Sequence, residues 1–86
     1  MQVFIPTPLR SYTSGRSQVE GSGETLDALI EHLDARYPGI RFRMIDEQGQ
    51  MRPHIRFFVG GDLAPRISQC IGPQDEVQII CALSGG

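Results

Sequence analysis

The chain of 86 residues contains no lysine and no tryptophan, and it has only two cysteines. All eight basic side chains are arginine, so the protein offers no ε-amine through which it could be joined into a polymer. Any covalent role would therefore run through the carboxyl end of the chain. The two cysteines, Cys70 and Cys81, match no metal-binding or redox spacing. Both lie in apolar stretches, and we expect them to behave as small buried hydrophobic residues.

The sequence also lacks an apolar run of the roughly 18 residues that a membrane-spanning helix requires. Its first residues alternate as a strand would, which is not the pattern of a secretory signal. We therefore expect a cytoplasmic protein with no membrane partner. The length is typical of one domain with a single modest core.

Charge is low overall and unevenly distributed. The formal net charge of −2 argues against nucleic acid as a partner. Residues 20–34 carry five acids and no base, whereas residues 36–66 carry six arginines against three acids. These arginines are consistent with a solvated charged face, or with a docking patch for an acidic partner.

Two strands are predicted near the amino terminus. Val3 and Ile5 share one face of a first strand, which Pro6 closes. Residues 17–21 form a short returning strand after a turn at 13–15. Because the connection is so brief, we expect the two strands to pair antiparallel.

One amphipathic helix follows these strands. Thr25 is a suitable N-cap, and Pro38-Gly39 is a stop signal. Between them an apolar stripe recurs at helical spacing; its members are Leu26, Leu29, Ile30, Leu33 and Tyr37. The opposite face is acidic, and we expect it to face water.

The second half of the chain predicts two further strands. Residues 40–53 suggest an extended piece followed by a turn, and residues 55–59 alternate as a strand that ends at Gly60-Gly61-Asp62. The stretch 63–72 is expected to be irregular, with a short piece of helix or strand. A last strand spans 77–82.

This order of elements predicts an α+β protein with the β-grasp, or ubiquitin-like, fold. A mixed sheet of four or five strands would be covered on one face by the main helix. The first and last strands are strongly apolar and belong in the centre. Residues 1–81 would form the domain, and residues 82–86 a flexible tail.

The sequence shows no catalytic constellation, so we expect a protein that is not an enzyme and has no catalytic residues or metal site of its own. His32 lies beside the apolar stripe of the helix and His54 at a strand start. Neither has a cysteine or carboxylate partner at metal-ligand spacing. Both are interpreted as surface or packing residues.

The open face of the predicted sheet carries a candidate partner surface. The alternation that buries Val77 and Ile79 turns Phe4, Phe58 and Ile80 to the other side. If their strands are neighbours, these three side chains form a contiguous apolar patch, and such patches tend to mark partner sites. The alternative is that a loop such as residues 40–53 folds over them.

The chain ends in Ser84-Gly85-Gly86. With no Cβ on its last two residues, this end could enter a narrow channel and present the Gly86 carboxylate to a nucleotide. Leu83 and Ser84 connect the last strand with the glycines, and we expect them to contact the same partner as the patch. The alternatives are a truncated chain or an ordinary frayed terminus.

Several motifs, taken in order, resemble the ubiquitin-like sulfur carriers, a family that includes the thiamine-biosynthesis carrier and the small subunit of molybdopterin synthase. Within it the chain looks most similar to the sulfide carrier of thiocarboxylate-dependent cysteine biosynthesis. The resemblance runs along nearly the whole chain, and the motifs are Val3-x-Ile5-Pro6-Thr7-x-Leu9-Arg10, Ser22-Gly23-x-Thr25-Leu26, Tyr37-x-Gly39-Ile40, Asp75-Glu76-Val77-x-Ile79-Ile80 and Gly85-Gly86.

The resemblance implies a mechanism located at the tail. An activating enzyme would use ATP and magnesium to adenylate the Gly86 carboxylate, and a sulfur donor would then displace AMP to leave a thiocarboxylate. A client such as a cysteine synthase, or the large subunit of a molybdopterin synthase, would accept the sulfur. The resemblance thus assigns the cofactors to the partners and none to this chain.

The chain departs from the family pattern just before the tail. Relatives usually place one or two prolines there, whereas this sequence reads Cys81-Ala82-Leu83. Cys81 also leaves a direct role of its thiol in sulfur handling open. Other open functions are a small subunit of molybdopterin synthase, a protein modifier that forms isopeptide bonds with target lysines, and a plain binding domain.

Overall fold

A computed structural model describes residues 1–82. The strands are β1 (Gln2–Phe4), β2 (Gln18–Glu20), β3 (Ile55–Val59), β4 (Asp62–Ala64) and β5 (Val77–Cys81), and the α-helices are α1 (Leu26–Arg36) and α2 (Ile40–Met44). A 3₁₀ helix spans Thr7–Thr13. No helix in this part of the chain is long and apolar enough to cross a membrane.

The five strands form one mixed sheet in the order β2-β1-β5-β3-β4. β1 pairs antiparallel with β2 and parallel with β5, and β3 pairs antiparallel with β5 and β4. The first and last strands are therefore both interior, as predicted from their apolar composition. The expected β-grasp arrangement is confirmed.

Helix α1 covers one face of this sheet. The Thr25 hydroxyl accepts a hydrogen bond from the Ala28 backbone N–H at 3.1 Å, which caps the first turn as expected. Four of the five residues of the predicted stripe are buried against the sheet, whereas Tyr37 is partly buried and packs against the core. The core contains Leu26, Leu29, Ile30 and Leu33 from the helix, Val3, Ile55, Phe57, Val77 and Ile79 from the strands, and Ile5 directly after β1.

The prediction of an extended piece after residue 39 is wrong, because residues 40–44 form helix α2. The Asp34 carboxylate accepts hydrogen bonds from the backbone N–H groups of Gly39 and Arg41, both at 3.1 Å. Gly39 has a φ of 97°, which a glycine adopts at little cost. A carboxylate from the preceding helix thus caps the start of α2. The helix propensities of residues 40–44 alone do not predict this contact. Ile40 and Met44 then bury at i, i+4 spacing.

Two short elements extend what the sequence predicts. The turn at 13–15 is preceded by the 3₁₀ helix, in which Leu9 and Thr13 are buried. The stretch 63–72, expected to be irregular, begins inside β4. Gly60 and Gly61 both have positive φ in the turn that joins β3 to β4.

The two cysteines are not the buried hydrophobic residues that the sequence suggests. Cys70 is exposed and Cys81 is partly buried, and both are free thiols. Cys70 forms an isolated β-bridge with Thr25, so its backbone holds the segment before α1 while its side chain remains in solvent. The apolar neighbours in sequence misled the prediction, because this segment runs over the surface.

Candidate functional site

The candidate site begins where the central strand β5 leaves the sheet. Cys81 is paired with Ile55 of β3, and the Ala82 backbone N–H donates a hydrogen bond to the His54 carbonyl at 2.7 Å. The chain is thus held by its neighbour up to Ala82. The remaining predicted site residues, Leu83, Ser84, Gly85 and Gly86, lie outside the described residues, and the boundary of the tail at 82 stays a prediction.

The open face of the sheet carries the predicted apolar side chains, and the register refines their arrangement. Phe4 on β1 and Phe58 on β3 both stand opposite Gln78 on β5. The Gln78 side chain therefore lies between the two aromatic residues, which are not on neighbouring strands. Leu63 on β4 pairs with Phe58 and is 54% exposed. This leucine extends the row, and the sequence does not predict it because the stretch 63–72 is expected to be irregular.

Ile80 lies one row closer to the end of β5 and is 42% exposed. Its partner on β3 is Arg56, so the patch is bordered by a charge on this side. Phe4 and Phe58 are half-buried. We call the set of Phe4, Phe58, Leu63 and Ile80 the open-face patch. It joins three of the predicted residues, interrupted by polar side chains.

No part of the segment 40–45 covers this patch. Ile40, Met44 and Ile45 are buried in the core, and α2 packs against α1 and the 3₁₀ helix. This places the segment on the helical side of the sheet. The alternative in which the loop folds over the open face is therefore wrong for these residues.

Two open grooves flank the end of β5. The first has a volume of about 580 Å³ and reaches from the open face to the 3₁₀ helix; its lining includes Phe4, Pro6, Pro8, Arg10, Gln78 and Ile80. Its apolar walls and single guanidinium suit an extended, mainly apolar segment with one anionic group.

The second groove lies on the other side of Cys81 and has a volume of about 340 Å³. Its lining includes Leu9, Phe42, Arg43, Arg52, His54 and Cys81. The Arg52 guanidinium stacks over the Phe42 ring at 4.6 Å from its centroid, and its Nε–H donates to the Phe42 carbonyl at 2.7 Å. The ring and the carbonyl thus hold one cation in place beside the end of β5.

The two histidines belong to no cluster of metal-ligating side chains in the part of the chain described. Both are half-buried. No group of three or more histidine, cysteine, aspartate or glutamate side chains that could hold a metal ion occurs among residues 1–82. Within this range, the chemistry near the end of β5 is that of an apolar surface bordered by guanidinium groups.

A strand that leads from the centre of a β-grasp sheet towards Gly85-Gly86, flanked by an apolar face, is the arrangement that the motifs implied. Residues 3–86 match the ThiS family. The chain belongs to the ThiS family. The resemblance inferred from the sequence is therefore confirmed along almost its full length.

Relatives with the name "Sulfur carrier protein CysO" are similar to this chain over nearly its whole length. The chain is 35% identical over 89 residues to CysO of Mycobacterium tuberculosis strain H37Rv, which covers 98% of this chain and 96% of CysO. A crystal structure of Mycobacterium tuberculosis CysO superposes with a TM-score of 0.89 at 33% identity, covering 95% of this chain and 98% of that one. Sequence and fold thus agree on the same relatives.

Two further structures place the fold in a wider group. CysO in the Amycolatopsis orientalis BexX/CysO complex has a TM-score of 0.90 at 28% identity, covering 99% of this chain and 98% of that one. The solution structure of small archaeal modifier protein 1 from Methanosarcina acetivorans has a TM-score of 0.79 at 21% identity, with coverage of 99% and 94%. At that identity the second match shows the fold alone.

Proposed function

We propose that this ThiS-family chain is a sulfur carrier that serves cysteine biosynthesis. Its Gly86 carboxylate is the group that carries the sulfur. A carboxylate is a poor acyl donor because its leaving group would be oxide. An activating enzyme therefore first joins the carboxylate to AMP from ATP, with release of pyrophosphate. A sulfur nucleophile then displaces AMP, and the product is a thiocarboxylate at Gly86.

The position of β5 in the sheet is the observation that carries this proposal. β5 is hydrogen-bonded on both sides, to β1 and β3, and the Ala82 N–H still donates to His54. A rigid mount therefore extends to within a few residues of Gly86. The four residues beyond Ala82, if extended, could span roughly 13–14 Å at about 3.3–3.6 Å per residue, which is long enough to enter a neighbouring active site.

The proposal assigns separate tasks to the carrier and its partners. ATP, magnesium and the catalytic residues belong to the activating enzyme, so this chain acts as a substrate and not as an enzyme. The open-face patch, with Leu83 and Ser84, supplies the contact surface. Neither nucleic acid nor a membrane is a partner, and the reaction takes place in the cytoplasm.

The client that accepts the sulfur is proposed to be an enzyme of the cysteine-synthase type. The similarity to proteins called CysO supports this choice over the large subunit of a molybdopterin synthase. The crystal structure of the BexX/CysO complex supports docking of such carriers on other proteins. A molybdopterin synthase subunit would remain bound to its large partner in gel filtration, and an isopeptide modifier would produce conjugates of higher mass in cell lysate.

Intact-mass spectrometry tests the proposal. The purified chain is incubated with ATP, magnesium, the activating enzyme of the same organism and a sulfide donor. We expect a species that is heavier by the mass difference between sulfur and oxygen, located on the C-terminal peptide. Deletion of Gly86 should abolish this species.

Cys81→Ser is the matched control, because it removes the thiol nearest to the tail and leaves the carboxylate. The mass increase should persist in this variant. If Cys81→Ser removes the added sulfur while the deletion of Gly86 retains it, the sulfur is carried on the thiol and the assignment to Gly86 is wrong. An unmodified wild-type chain would contradict the carrier function itself.

A further inference from the structure

The two ends of the sheet carry opposite charge. Four arginines surround the end at which β5 finishes, and we call them the basic rim: Arg10, Arg43, Arg52 and Arg56. They come from the 3₁₀ helix, from α2, from the loop before β3 and from β3 itself. Only the fold therefore brings these four side chains together around the residues that precede the tail.

Backbone carbonyls hold three of these guanidinium groups in place. Arg10 donates to the Ile5 carbonyl at 3.0 Å, and Arg52 to the Phe42 carbonyl at 2.7 Å. Arg56 donates to the carbonyls of Pro53 and Ile55, both at 2.8 Å. These contacts orient the cations, but a carbonyl carries no net charge and so leaves each positive charge uncompensated.

No carboxylate of residues 1–82 forms an ion pair with the basic rim. The ion pairs within residues 1–82 lie elsewhere. Glu20 pairs with the terminal amino group, and Asp27 and Glu31 pair with Arg41. No acidic side chain is among the described residues that line either groove at the end of β5. A cluster of cationic side chains without nearby carboxylates creates a positive local potential, which attracts a negatively charged surface of a partner.

Carboxylates collect at the opposite end of the sheet instead. Glu20 ends β2 and Asp62 begins β4, while Asp75 and Glu76 directly precede β5. The Gly60 N–H donates to the Glu76 carbonyl at 2.9 Å. This backbone hydrogen bond holds Glu76 beside the turn that joins β3 to β4. One arginine, Arg36, also reaches this end, where it donates to the Glu20 carbonyl. The molecule is thus polarised along β5.

We infer that the basic rim docks on a ring of carboxylates around the channel through which a partner receives the tail. The inference rests on the proposed carrier function and specifies the partner's surface. With a net charge of −2, the carrier as a whole is not attracted to an acidic protein. Its polarity instead orients it in the partner's field with the tail foremost, which raises the rate of productive encounters. The same net charge disfavours the phosphate backbone of RNA as the occupant.

Charge reversal in the basic rim tests this inference. Arg43→Glu alters an exposed side chain that makes no described side-chain hydrogen bond, so the fold should be retained. Arg66→Glu is the control with the same change in net charge, because Arg66 is exposed and lines neither groove. The assay is pyrophosphate exchange by the activating enzyme, with carrier concentration varied at about 0.02 M and about 0.5 M NaCl.

At low salt we expect Arg43→Glu to raise the KM for the carrier about tenfold with little change in kcat, within the range known for electrostatic steering. Arg66→Glu should change KM less than twofold. At high salt the difference should largely vanish, because the screening length falls to a few ångströms. Thermal unfolding of both variants checks that the fold is intact.

Each other outcome overturns the inference in its own way. Equal KM values for both variants and wild type, with normal exchange, would exclude the basic rim while leaving the carrier function intact. A lower KM in Arg43→Glu would mean that the rim holds the chain's own carboxylate. Salt-sensitive binding of a labelled single-stranded RNA, lost in Arg43→Glu while KM stays normal, would assign the rim to nucleic acid. Absence of exchange with wild type would refute the carrier function instead.

Discussion

The two faces of the sheet are built from the same strands but differ in what they do. On the face under α1, Val3, Phe57 and Val77 are almost fully buried. On the open face, Phe58 and Ile80 alternate with Gln78 and Arg56 and remain partly or largely accessible. Apolar area removed from water contributes roughly 25 cal/mol per Å². The covered face therefore carries most of the stability, and the open face can serve a partner.

Adjacent phenylalanines on β3 allow the sharpest test of this contrast. Phe57→Ala should lower the free energy of unfolding by about 3–5 kcal/mol, because it leaves a cavity in the core. Phe58→Ala should cost only about 1 kcal/mol, since its ring is half-buried on the open face. Urea denaturation of both variants measures the difference.

The two substitutions are matched in chemistry and differ by one position in the strand. If both cost the same, the assignment of stability to one face is wrong. If Phe57→Ala fails to fold, the comparison is repeated with Phe57→Leu and Phe58→Leu. Both losses of unfolding free energy should then be smaller, and the loss at Phe57 should still be the larger.

Gly23, in the loop before α1, tests how closely that loop packs against the first turns of the helix. A Cβ at Gly23 would lie 2.5 Å from the backbone nitrogen of Leu29, so helix or loop must shift. Gly23→Ala should therefore cost about 1–3 kcal/mol, the usual penalty of overpacking. Thermal or urea unfolding measures the loss of stability.

Gly72→Ala is the control for this prediction. Its Cβ would approach the Asp75 carboxylate no closer than 3.5 Å, an ordinary contact. We expect a change within about 1 kcal/mol, towards higher stability, because alanine restricts the unfolded chain. A Gly23→Ala variant as stable as Gly72→Ala would show that the loop before α1 is not tightly packed against the helix.

The smallest effect on stability is expected at Ile80, where the effect on binding should be clear. Ile80→Gln removes an exposed apolar side chain and leaves the net charge unchanged, which separates the open-face patch from the basic rim. Unfolding free energy should change by less than about 1 kcal/mol. The Kd for the activating enzyme should rise about tenfold, as for a central interface residue.

Isothermal titration of the activating enzyme with this variant measures the Kd. Leu63→Gln, on edge strand β4 and farther from the end of β5, should change it less. An unchanged affinity in Ile80→Gln would show that the open-face patch does not contact the activating enzyme. Equal losses of affinity in both variants would show that the binding surface extends to Leu63 on β4.

Local patterns were sufficient for α1 and for strands β1, β2, β3 and β5. Thr25, the apolar stripe and Pro38-Gly39 lie within one short stretch of sequence, so capping and periodicity identify this helix directly. Helix α2 was missed because its start depends on the Asp34 side chain, which reaches it from the end of α1. Cys70 was misjudged because burial depends on the path of the whole segment.

The sequence by itself determined the alternation of the strands, the amphipathic helix and hence the β-grasp order, together with the terminal Gly85-Gly86 and a basic charge supplied by arginine alone. Only the tertiary structure decided that Gln78 separates Phe4 from Phe58, and that Arg10 and Arg43 line the two grooves that flank the end of the same strand. The physical reason is the range of the interactions involved. Alternation states which face a side chain occupies, whereas its neighbours depend on strand register and on packing between distant segments.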